Sequence, residues 1–143
     1  MRPAVALFLV LLASAAQAAA SEPLMPSRRL CNPDKIKHTN AWVDCLQKAI
    51  DKSEAELDAL VRKISTVMTT GDMLEEPKRS ENRALFEATQ TKWLALRDDD
   101  CKSYGAHKAG LGFGAVQFRL ECLINETVSR VLTLRVRYKE DLK

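Results

Sequence analysis

The stretch QTKWLALRDDDC, residues 90–101, sets an amide, an indole, a guanidinium and a thiol along one line of a helix. At about 100° per residue, Gln90, Trp93, Arg97 and Cys101 fall within an arc of roughly 80°. Such a face can be a polar site, and it can equally be one wall of a disulfide-stapled core. Asp98, Asp99 and Asp100 form an acidic run inside it. Consecutive helical residues point in different directions, so the three carboxylates do not converge on a metal. Acids near a helix C-terminus are opposed by the helix dipole. That local cost marks this end of the helix for use, and Asp98, Asp99 and Asp100 are the candidate binding residues.

A catalytic reading needs a nucleophile with its base, a metal shell or a phosphate cradle. The two histidines, His38 and His107, have no His or Cys partner at metal-ligand spacing. The GLGFG segment, residues 110–114, follows no strand and leads into no Lys-Ser/Thr, so it is not a phosphate loop. Met25, Met68 and Met73 are too scattered for a copper site. Asn125-Glu126-Thr127 is a formal glycosylation sequon, but it falls mid-helix with Thr127 facing inward. No enzyme emerges, and neither a cofactor nor a metal is expected.

The first twenty residues read as an export signal. Arg2 precedes an apolar run from Ala4 to Ala13, too short to span a bilayer, and small residues follow it. Cleavage is expected after Ala18 or Ala20. Of the 22 Lys and Arg residues only Arg2 lies in that signal, so the formal charge falls from +3 to +2 on cleavage. That balance argues against nucleic acid as a partner. No later stretch is apolar enough for membrane insertion. The expected address is periplasmic or secreted.

Four cysteines, Cys31, Cys45, Cys101 and Cys122, lie beyond the signal. An even count in an exported chain implies disulfides, and the spacings match no zinc or haem motif. Residues 21–39 hold three prolines without periodicity and are expected to be an extended lead-in. The helical domain is then 40–139. Asn40 is a candidate cap for a first helix, whose stripe runs from Trp42 through Leu46, Ser53, Leu57 and Ile64 to Val67. A second helix is expected from Ser80 to Tyr104, and a third from about Gly114 to Tyr138. GAHKAGLGFG, residues 105–114, is expected to be a flexible loop between them. Short links between long helices imply an all-α, up-down-up, antiparallel three-helix bundle stapled by two disulfides. That topology gathers all four cysteines at one end. Cys31–Cys45 and Cys101–Cys122 are the preferred pairs because they close short loops, and the other two connectivities stay open.

The motifs taken together resemble the LprI-type lysozyme-inhibitor domain, a family of small exported bacterial proteins. Gln90, Trp93, Arg97, Asp98 and Cys101 match its Q-x-x-W-x-x-x-R-D-x-x-C pattern. Cys122, Thr127, Arg130 and Leu134 match the C-x4-T-x2-R-x3-L that follows a glycine-containing loop. The likeness covers about residues 45–134. It departs in SEAELDALVRKI, where Asp58 and Val61 stand in place of the usual Asn and Tyr. The resemblance implies that Gln90, Trp93, Arg97, Asp98, Thr127, Arg130 and Leu134 are family scaffold. The lack of a catalytic constellation points to a non-catalytic envelope protein with a protein or cell-wall partner. A lysozyme is the alternative partner, held through the acidic run and the adjoining loop.

Overall fold

The computed structural model describes residues 25–36, 38–70 and 75–143. The expected export signal with the rest of residues 1–24, residue 37, and the 71–74 part of the first interhelical link lie outside the described residues. Among the described residues the chain is all-helical, with four helices in order: α1 (Pro26–Leu30), α2 (Thr39–Thr70), α3 (Lys78–Ala109) and α4 (Phe113–Arg137). Cys101 on α3 meets Cys122 on α4, while Phe86 lower on α3 meets Tyr138 beyond the end of α4. The two helices therefore run antiparallel. Arg135 reaches Glu56, and Lys63 reaches the carbonyl of Leu142, so α2 and α4 run side by side in the same direction.

Two expectations need correction. The lead-in is not wholly extended, because α1 forms inside it. Pro26 opens that turn, where its fixed φ suits a helix start and its missing N–H costs nothing. Five residues are too few to show a period, and tertiary contacts hold them. The Ser27 N–H donates to Asn125 Oδ1 at 2.9 Å, and the Trp42 indole N–H donates to the Cys31 carbonyl at 3.3 Å. Asn125 of the formal sequon is thus an internal anchor for α1.

The second correction is at Gly105. The expected loop of residues 105–114 is helical through Ala109, and the break is confined to Gly110-Leu111-Gly112. Gly110 and Gly112 take φ of +67° and +124°, which side chains rarely tolerate. Gly105 serves close packing instead of a turn. A Cβ there would lie 2.5 Å from the Ala115 carbonyl oxygen and 3.2 Å from Arg119 Cβ. Gly105→Ala is expected to cost about 1–3 kcal/mol by forcing α3 from α4, against about 1 kcal/mol of helix propensity gained. Urea denaturation followed by circular dichroism would read this; a variant as stable as the parent would contradict it.

The core has two parts. Toward the disulfides, Leu46, Ile50, Leu120, Leu123 and Ile124 pack with Cys31 and Cys101. Toward the other end, Leu57, Ile64, Phe86, Val131 and Leu134 form a second cluster. Between them the inward positions turn polar on every long helix: Ser53 on α2, Arg97 on α3 and Thr127 on α4 are all buried. This polar layer is where most of the family-motif residues meet.

Candidate functional site

Arg97 is the centre of the layer, with its side chain only 5% exposed. One terminal nitrogen donates to Thr127 Oγ1 at 2.7 Å. The other donates to Glu54 Oε1 at 2.8 Å and to Asp98 Oδ1 at 2.7 Å, and Nε donates to the same Asp98 oxygen at 2.9 Å. One guanidinium therefore ties all three long helices together. Its planar fork of donors suits several acceptors at once, which an ammonium cannot match. Glu54 was not legible in the sequence, since Asp51, Glu56 and Asp58 on the same helix present the same type.

The indole of Trp93 lies beside two cations. The guanidinium carbon of Arg97 is 5.5 Å from the ring centroid and that of Arg130 is 5.2 Å away. Both fall within cation–π range. Arg130 also donates twice to Gln90 Oε1, at 3.1 and 2.8 Å. Burial first, and then the charge of Arg137, pull the Arg130 guanidinium below its usual value. Arginine starts so high that it remains a cation. The structure thus brings together Gln90, Trp93, Arg97, Asp98, Thr127 and Arg130. Leu134 is fully buried in the second core cluster, against which Trp93 also packs.

The acidic run divides. Asp98 is committed to Arg97, while Asp99 and Asp100 are exposed and make no ion pair among the described residues. They do not adjoin the loop, because α3 continues past them. Ten residues of helix put Asp100 about 15 Å below Gly110. The space between carries Tyr104, packed edge-on against Phe118 with centroids 6.3 Å apart, and Lys108 lies over the Tyr104 ring at 5.5 Å.

At the tip the chain exposes apolar groups. Leu111 is 96% exposed and Phe113 52%, with Val116 close behind on α4. They stand on a two-glycine turn whose flanking helices are joined by Cys101–Cys122. The other disulfide is Cys31–Cys45, which ties α1 to α2. The sequence showed the tip only as a glycine-rich gap, because exposure of Leu111 depends on where α3 stops.

No cluster of His, Cys, Asp and Glu among the described residues is arranged to hold a metal ion. No described helix is long and apolar enough to cross a membrane. The sequence model of the family described as Lysozyme inhibitor LprI matches residues 31–134. The chain belongs to that family. No curated protein and no solved structure matches it. The LprI match contains both disulfides, the Arg97 layer and the exposed tip, whereas α1 precedes it. The LprI family is an inhibitor family, so its partner is a protein such as lysozyme.

Proposed function

We propose that this protein is an exported, non-catalytic binding protein of the bacterial envelope that inhibits a lysozyme through the tip of its bundle. In this reading the signal is removed after Ala18 or Ala20, and the helical domain acts in the periplasm or outside the cell. The observation that carries it is the exposure of Leu111 and Phe113 on a turn held between two disulfide-joined helices. A large apolar side chain on a pre-ordered loop can enter a partner's cleft with little ordering cost. The Arg97 layer supports the tip from below and does not itself touch the partner.

Asp99 and Asp100 have a different part in this reading. Many lysozymes are strongly basic, and two unpaired carboxylates on α3, about 15 Å below the tip, speed encounter more than they tighten it. A charge of +2 after cleavage gives no such steering from the molecule as a whole, so the local patch supplies it.

The test is residual activity of animal-type and phage-type lysozymes titrated with the oxidised protein. Stoichiometric inhibition of one type is expected. Leu111→Ser with Phe113→Ser should weaken it by at least about thirtyfold, as loss of a central apolar anchor does. Asp99→Asn with Asp100→Asn should mainly slow association, by an amount that shrinks in salt. No inhibition of either type at micromolar excess overturns the lysozyme assignment.

A further inference from the structure

A groove of about 470 Å³ lies between α2 and α3, on the half of the bundle that holds Phe86. Its volume is within the range of small-molecule sites, about 300–1,000 Å³. The groove exists because α4 packs along both α2 and α3, while those two touch each other less. Short side chains face the seam where a closed interface would place leucines.

The donors in the groove are unevenly satisfied. Gln90 is 6% exposed and lines it; its oxygen is taken by Arg130, but its amide nitrogen has only a 3.5 Å approach to the Phe86 carbonyl. That distance is the outer limit of a hydrogen bond, so a buried amide there is short of an acceptor. Arg62 stands on the α2 side, exposed and without an ion pair among the described residues. Arg83 stands on the α3 side; it gives its Nε to Glu87 at 2.8 Å and keeps its two terminal nitrogens. The Arg83 hydrogen bond first, and then one from Ser65, hold the Glu87 carboxyl below the usual carboxylate range. Glu87 therefore stays an anion and offsets one guanidinium, which leaves the groove with one net positive charge.

The acceptors are of another kind. The hydroxyls of Thr66 and Thr91 donate to the carbonyls of Arg62 and Glu87 one turn back, so their lone pairs remain free. Val61 and Leu94 supply apolar surface in the same groove. A cationic rim, a buried amide donor, hydroxyl acceptors and an apolar patch suit one ligand chemistry: a hydroxylated ring that carries an oxyanion. We propose that this groove binds an acidic sugar, with its carboxylate or phosphate at Arg62 and Arg83, a ring or acyl oxygen at the Gln90 amide, and its hydroxyls toward Thr66 and Thr91. The site is separate from the tip and does not depend on the lysozyme reading.

The test is a ¹⁵N NMR titration of the oxidised protein with glucuronic acid, glucose 6-phosphate and glucose. Saturable shifts centred on Ser65, Gln90 and Leu94 are expected with at least one acid, with a Kd in the millimolar range or tighter. The two acids separate a carboxylate from a phosphate ligand. Glucose should bind at least about tenfold more weakly, and Arg62→Gln should weaken the acid by about the same factor. Arg62 is exposed and unpaired among the described residues, so this variant keeps the fold. The proposal is overturned by shifts of equal size with glucose, by an unchanged affinity in Arg62→Gln, or by no saturable shift with either acid.

Discussion

Arg97→Ala is expected to destabilise the protein by about 3 kcal/mol. Two effects add. The guanidinium and its stem leave a gap beside Trp93 and between the two core clusters, and such gaps cost on the scale of large core truncations. Thr127 also loses the 2.7 Å bond to its buried hydroxyl. The full cost of stranding a buried charge does not apply. Glu54 and Asp98 are 43% and 50% exposed, so water re-solvates them once Arg97 is gone. Arg97→Lys should recover less than half of the loss, since one ammonium cannot reach the acceptors on three helices. Arg97→Met with Thr127→Val should approach parental stability, because it replaces the polar contact with apolar volume. Urea midpoints for the three variants check this, and a lysine variant as stable as the parent would refute the shared-fork account.

Loss of the Cys101–Cys122 bridge carries the other large effect. The bond closes 21 residues of sequence separation, and the chain-entropy relation gives about 3 kcal/mol for a loop of that size. For a domain of this length that is a fall in Tm of roughly 10–15 °C. Cys101→Ala with Cys122→Ala should show it in a thermal melt. The same relation gives nearly as much for the 14 residues between Cys31 and Cys45, but that bridge fastens only α1 to the start of α2. With Cys31→Ala and Cys45→Ala, α1 can therefore detach while the bundle stays folded. The effect should be smaller and local, seen as faster hydrogen exchange around residues 26–31 while α3 and α4 stay protected. Only the first pair joins the two helices that carry the tip, so only its removal should shorten the lifetime of a lysozyme complex. Equal losses from the two pairs would show that the bridges act on the whole bundle alike.

Sequence alone carried the helical class, because stripes at spacings of three and four run through α2, α3 and α4 and nothing alternates with period two. It also carried the family, because Gln90, Trp93, Arg97, Asp98 and Cys101, then Cys122, Thr127, Arg130 and Leu134, keep a fixed order and spacing. Helix ends were less legible. Gly105 looked like a stop signal, yet a glycine that lets two helices touch and a glycine that ends one are the same letter. Only the approach of Ala115 and Arg119 distinguishes them. The short helix α1 was hidden for a related reason, since its support comes from Asn125, nearly a hundred residues away.

Among candidate site residues the same division holds. Trp93 and Arg97 were visible as neighbours, since i and i+4 share a helix face whatever the rest of the chain does. The choice of Glu54 among several similar acids, the pairing of Asp98 with Arg97, and the approach of Arg130 to Trp93 required three helices in register. The exposure of Leu111 and the groove at Gln90 required it too. Periodicity is a property of one helix and can be read along the chain. Which side chain lies opposite which depends on the rotation and offset of packed helices, and those were decided by the buried volumes and donors of all three together.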